Sequence, residues 1–193
     1  MGRNRKKVVV AVLSIVLLVS VVGGWALSRS SDDVDAKLTN PGVEQTPGIG
    51  TNANNTGKKF SFVPVTDLLS GSAVTITPMG KPMVVNFWFS TCEPCKREMP
   101  ALTAAAAKYG TAVNFVGINP NDTTESASAF LTKYGIKYAN YLDDGDQLAE
   151  AGVTTMPTTF FINADGYIVE THAGELTLDD IDKILVNDLG VTK

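Results

Sequence analysis

The chain has two cysteines and one histidine in 193 residues, and the cysteines stand three apart in Cys92-Glu93-Pro94-Cys95. Residues at this spacing share one face of a helix, and their Cα atoms then fall in the roughly 4.4–6.8 Å window that a disulfide needs. Such a pair opens and closes in place. The apolar run from Met83 to Phe89 precedes it, and an Ala-rich stretch ended by Gly110 follows, so Cys92 falls where a strand turns into a helix. Unpaired N–H groups and the macrodipole at a helix amino end stabilise an anion and lower a thiol pKa. Cys92 is therefore the attacking thiolate. Cys95, one turn deeper, resolves the mixed disulfide by attacking the Cys92 sulfur. Pro94 suits the first turn, where no N–H partner is required.

Other uses of the two thiols fit less well. A structural bridge closing so short a loop restricts little chain entropy. A four-ligand zinc site and a multi-bridge framework both need more Cys and His than the chain has. Haem attachment needs His after the second cysteine, and Lys96 stands there. A peroxiredoxin would carry Thr or Ser three residues before its reactive cysteine, where this chain has Phe89. No cofactor is expected beyond a redox-active Cys92–Cys95 disulfide.

The neighbouring residues allow two readings each. Glu93 beside the thiolate raises its pKa and favours a more reducing couple, or completes a Ser90-x-x-Glu93 capping box. Glu98, three residues past Cys95 on the same side, accepts or returns the proton of the resolving thiol, or complements the dipole as a first-turn acid. Met156-Pro157 precedes a strand, as an edge-start proline does, and only about 5–6% of X–Pro bonds are cis. Pro100, inside the first helix, is expected to kink it. Trp88 reads as core, close enough to Cys92 to report redox state by fluorescence. His172 reads as surface or sheet edge, with a copper site built on it and both cysteines as the sharper alternative.

These residues need a scaffold, and turn residues mark its elements. Strands are expected at Phe60–Val65, Ala73–Thr77, Met83–Phe89, Val113–Ile118, Tyr138–Leu142, Thr158–Ile162 and Tyr167–Thr171. The last two flank a hairpin turn at Asn163-Ala164-Asp165-Gly166. Helices are expected at Cys92–Tyr109, Thr123–Tyr134 and Asp146–Ala151. A last helix starts at Thr177, with Asp180 completing a capping-box variant, and runs to Gly190. The order, βαβ followed by ββα, implies a mixed central sheet with helices on both faces, preceded by an N-terminal strand extension.

Before this domain, placed at residues 60–193, the chain divides in three. Residues 1–7 form a basic tail holding Arg3, Arg5, Lys6 and Lys7. Residues 8–27 carry no charge, and at helical rise they span roughly the 30 Å of a bilayer's hydrocarbon. With the basic tail kept inside and Trp25 at the far interface, the rest of the chain is expected outside the cytoplasm. A cleaved signal peptide, with Gly24 and Ala26 before the cut, is the competing reading. Residues 28–59 are rich in Ser, Asp, Asn, Thr, Gly and Pro and read as a flexible tether reaching on the order of 30 Å. Beyond the tail, 12 basic residues face 20 acidic ones. That acidity argues against a nucleic-acid partner. Asn54-Asn55-Thr56 and Asn121-Asp122-Thr123 fit a glycosylation triplet that is common by chance.

The run Val84-Val85-Asn86-Phe87-Trp88-Phe89-Ser90-Thr91-Cys92-Glu93-Pro94-Cys95-Lys96-Arg97-Glu98-Met99-Pro100, with Met156-Pro157-Thr158-Thr159-Phe160 and Asp165-Gly166 downstream, resembles the thioredoxin superfamily, in particular its membrane-tethered TlpA/ResA type. The resemblance covers nearly all of residues 60–193. It implies a thioredoxin fold, and thiol–disulfide exchange with client proteins outside the cytoplasm. In ResA-type members it also implies reduction of the cysteine pair of apocytochrome c before haem attachment. It further implies that Pro157 is cis and faces the cysteines, where the backbone of Met156 pairs with a client strand, and that Glu98 matches a functional glutamate. Asn86 stands where thioredoxin itself has a buried aspartate, which leaves Glu98 as the local acid. The expected function is that of a tethered reductant supplied by a transmembrane thiol donor, since its surroundings are oxidising. The alternatives are a disulfide-forming oxidase for secreted proteins and a non-catalytic copper- or thiol-binding chaperone.

Overall fold

The computed structural model describes residues 52–78 and 80–192. The tail, the apolar span and the tether as far as residue 51 lie outside the described residues. Among the described residues no helix is long and apolar enough to cross a membrane.

Seven strands form one sheet: β1 Pro64–Asp67, β2 Ala73–Thr75, β3 Met83–Phe87, β4 Asn114–Asn119, β5 Ala139–Leu142, β6 Thr158–Ile162 and β7 Ile168–Ala173. Their spatial order is β2-β1-β5-β4-β3-β6-β7. β3, β4 and β5 run parallel, and the outer pairings are antiparallel. This is a mixed thioredoxin-like sheet, with β1 and β2 as the N-terminal extension. The central strands β3 and β6 are buried at every position, because both sheet faces are covered. Side chains alternate accordingly. Val84, Trp88, Phe115 and Phe161 face one core, while Met83, Val85, Phe87, Val116, Ile118, Phe160 and Ile162 face the other.

Helices α1 Glu93–Tyr109, α2 Thr124–Tyr134 and α4 Leu178–Lys183 bury their apolar sides in the first core. The short α3, Asp146–Glu150, and Phe60 with Phe62 close the second. Capping boxes at Thr123 and Thr177 start α2 and α4, the latter with the expected Asp180. The expected final helix to Gly190 changes character on the way. After Lys183 it widens into a π-helical turn, Ile184–Asp188, where the N–H of Leu189 reaches the carbonyl of Ile184 at 3.2 Å. α1 is continuous through Pro100.

Most strand ends shift by one or two residues from those read in the sequence, and the start of the domain differs by more. The first strand starts at Pro64, because the backbone before it bonds elsewhere: Phe60 N–H donates to Gly166 O (2.8 Å) and Val63 N–H to Gln147 Oε1 (2.9 Å). Residues 52–59, read as tether, are docked on the domain. Ala53 N–H donates to Gly152 O (3.2 Å) and Gly57 N–H to Ile168 O (2.8 Å). Asn55 Nδ2 donates to Ala151 O (3.0 Å), and Lys59 bridges to Tyr167. Polar groups, not an apolar face, hold this stretch, so its composition gave no sign of order.

Candidate active site

β3 ends at Phe87 and is followed by the loop Trp88–Thr91, which delivers the chain to α1. Trp88 fixes that exit. Its ring is fully buried, stacks on Phe130 at 4.6 Å and donates its indole N–H to Asn140 Oδ1 at 3.0 Å. The Trp88–Asn140 pair crosses β4 above Gly117, where a Cβ would stand 1.9 Å from Asn140 Oδ1. Further along, Asp122 in the β4–α2 loop holds Ser90 twice, accepting from its N–H (2.6 Å) and its hydroxyl (2.7 Å). Asn119 Nδ2 in turn donates to Asp122 at 2.7 Å.

Cys92 is the N-cap of α1. Its Sγ accepts from the N–H of Cys95 at 3.2 Å, one of the donors left free at a helix start. The two cysteines form a disulfide with Cα atoms 5.2 Å apart. Cys92 keeps 5% of its surface exposed and Cys95 none, so an incoming sulfur meets Cys92 first. Pro94 is in the first turn, where no N–H is needed.

The anticipated Ser90–Glu93 capping box is not formed: Asp122 takes the Ser90 hydroxyl and Cys92 occupies the cap. Glu93 is exposed and pairs with Lys96 at 2.5 Å. The hydrogen bond from Lys96 and its positive charge hold the Glu93 carboxyl below the usual range. That cation also offsets the field Glu93 exerts on Cys92.

Glu98, three residues after Cys95 on α1, is buried to 1% exposure. Asn86 Nδ2 donates to its Oε1 at 2.8 Å and Leu176 N–H to its Oε2 at 3.3 Å. Asn86 Nδ2 also donates to Thr159 Oγ1 at 2.9 Å. Burial away from water raises the Glu98 carboxyl to about 8, against the lowering effect of the Asn86 and Leu176 hydrogen bonds. The adjacent Arg97 is engaged with Glu175, leaving its charge at the surface.

The Met156–Pro157 peptide bond is cis. β6 starts right after it, and Thr158 pairs with Phe87 at the end of β3, so this turn lies at the sheet end that carries the cysteines. Pro157 is buried and Met156 half-buried against both cores. His172 is half-buried on the edge strand β7, its Nε2 3.1 Å from Glu175 O. Among the described residues no cluster of three His, Cys, Asp or Glu is arranged to hold a metal.

The sequence reading gave no role at this site to Asn119, Asp122, Asn140, Thr159 or Leu176. Asn119 and Asp122 belong to a polar turn whose composition announces a loop and not its grip on Ser90. Leu176 contributes only a backbone N–H, which no side-chain pattern records.

The geometry is that of a thioredoxin-like thiol–disulfide oxidoreductase. Residues 53–185 match the Redoxin family, and the chain belongs to that family, in its ResA/TlpA-type branch. It is 32% identical over 132 residues to the thiol-disulfide oxidoreductase ResA of Bacillus thuringiensis, covering 67% of this chain and 76% of that one. It is 33% identical over 162 residues to the thiol:disulfide interchange protein DsbE homolog of Paracoccus denitrificans, covering 82% and 80%. Its fold superimposes on a secreted Mycobacterium tuberculosis disulfide oxidoreductase homologous to E. coli DsbE, with a TM-score of 0.57 and 31% identity over 62% of this chain and 90% of that one.

Proposed function

We propose that this oxidoreductase works outside the cytoplasm, tethered by residues 8–27, as a reductant of protein disulfides, with the cysteine pair of apocytochrome c as its client. The observation that carries the chemistry is the Cys92 sulfur at the N-cap of α1, accepting the Cys95 N–H while Cys95 is sealed beneath it. In the reduced protein the Cys92 thiolate attacks one sulfur of the client disulfide. A mixed disulfide forms and one client thiolate leaves. Cys95 passes its proton to the Glu98 carboxylate and attacks Cys92 Sγ, releasing the second client thiolate. Two electrons have then moved to the client, and the Cys92–Cys95 bridge remains. A transmembrane dithiol donor reopens that bridge, and protonated Glu98 returns a proton to the Cys95 sulfur. A carboxyl near 8 suits this exchange, since a free thiol titrates at roughly 8.5. The Met156–Pro157 turn receives the client backbone. The reductant direction and the apocytochrome client rest on the resemblance to ResA-type members.

Trapping tests the reading. Cys95→Ser leaves Cys92 unable to be released, so mixed disulfides with clients are expected to accumulate through Cys92 and to vanish in Cys92→Ser. A binding module or metal carrier would yield none. Direction is read from the reduction potential: a value near or below roughly −270 mV supports the reductant, and one near −120 mV assigns the protein to disulfide formation instead.

A further inference from the structure

The stretch that joins the tether to the domain ends on the turn carrying the cis-proline. Asn52 Oδ1 accepts from the N–H of Thr154 at 2.7 Å and from that of Thr155 at 3.1 Å. The hydroxyls of both threonines lie within hydrogen-bond distance of the same oxygen, at 3.1 and 3.3 Å. The Asn52 amide donates to Thr158 Oγ1 at 2.5 Å, and the Thr158 hydroxyl donates to Thr155 O at 2.8 Å. One side chain thus ties both ends of the turn Thr154–Thr158, with Met156 and cis-Pro157 between them. Ala53 and Asn55 bind the carbonyls of Gly152 and Ala151 just upstream, which keeps Asn52 in place. Thr154 and Thr155 are exposed, so the first half of the turn, unlike Met156 and Pro157, has little burial of its own to order it.

We infer that Asn52 is a positioning residue for client docking, holding the Thr154–Thr158 turn in the shape a client backbone meets. This rests on the reading that the Met156–Pro157 turn receives the client. A turn already ordered spares the encounter complex the conformational entropy of ordering it. Asn52 touches neither cysteine, so electron exchange with a reagent that needs no backbone docking is independent of it. The end of the tether and the client-binding turn are one hydrogen-bonded unit.

The test uses the full-length protein, reduced, with two oxidants: a disulfide-bridged peptide and the small aromatic disulfide dithiodipyridine. Asn52→Ala is expected to raise KM for the peptide about tenfold, equivalent to ~1.4 kcal/mol, with kcat and the dithiodipyridine rate unchanged. Asn52→Asp keeps an acceptor for both N–H groups and restores most of the peptide affinity. Amide hydrogen exchange at Thr154 and Thr155 is faster in Asn52→Ala, which confirms that the contact is broken in a folded protein. Pro157→Ala separates this proposal from the reading beneath it. If Pro157→Ala weakens peptide binding and Asn52→Ala does not, the Asn52 proposal is overturned and the docking turn stands. If neither variant affects the peptide, both are overturned. An equal loss with peptide and dithiodipyridine in Asn52→Ala also overturns the proposal, since it marks general damage to the site.

Discussion

Glu98 and Glu93 stand five residues apart on one helix, and their surroundings give them opposite characters. In the disulfide form burial holds Glu98 protonated at neutral pH, with its carboxyl near 8; solvent and Lys96 hold Glu93 ionised. Between the ordinary carboxyl value of 4.5 and about 8, the folded protein therefore binds one proton more than the unfolded chain. Raising the pH through that window favours unfolding, and the stability present at the acid end is lost by its alkaline end. Urea denaturation of the oxidised protein is expected to show a decline of a few kcal/mol across the window. Glu98→Gln should flatten it and also slow resolution by Cys95, read as longer-lived mixed disulfides in stopped flow. Glu93→Gln removes a charge that water and Lys96 already screen, so the pH profile of Cys92 alkylation should not move.

At the scale of elements, the site is made where three chain segments converge at one end of the sheet: the β3–α1 loop, the β4–α2 loop and the turn before β6. The Trp88–Asn140 hydrogen bond links the first of these to β5 across Gly117, and the space above Gly117 is fully used. Gly117→Ala places a methyl group against both partners. Overpacking together with a broken buried hydrogen bond is expected to cost about 3 kcal/mol, seen as a lower urea midpoint with an unchanged slope. Trp88 fluorescence should report the same displacement. Asp122 acts in parallel by holding Ser90, so a side chain from another crossover fixes the cysteine loop together with its own turn, in which Cys92 N–H donates to Phe89 O at 3.2 Å.

For the whole molecule, the folded unit begins earlier than its apolar pattern does. Residues 52–59 hydrogen-bond to the α3–β6 connection and to β7, two segments distant in sequence. A fragment starting at Asn52 is expected to melt roughly 5–10 °C above one starting at Phe60, given several net contributions of about 1 kcal/mol each. Differential scanning calorimetry of the two fragments measures this, and equal midpoints would show the docked stretch to be stabilising nothing.

The cysteine spacing, the strand before it and the helix after it were legible because each is a local property: thiol separation, hydrophobic period and chain breakers all act within a few residues. Cys92 at the amino end of the helix followed from the same local rules, although the cap itself went to Cys92 and not to Ser90, and the strand and helix order was enough to imply a mixed sheet. The character of Glu98 was decided only by the tertiary structure. Its spacing from Cys95 suggested a proton role, but its raised pKa comes from burial away from water, only partly opposed by the hydrogen bonds from Asn86 and Leu176, groups brought there by β3 and by the loop after β7. The grips of Asp122 on Ser90 and of Asn52 on the cis-proline turn were likewise invisible. Polar side chains acting over 32 and more than 100 residues leave no periodic trace in a sequence, because a hydrogen bond depends on where the fold places two groups and not on what lies next to them in the chain.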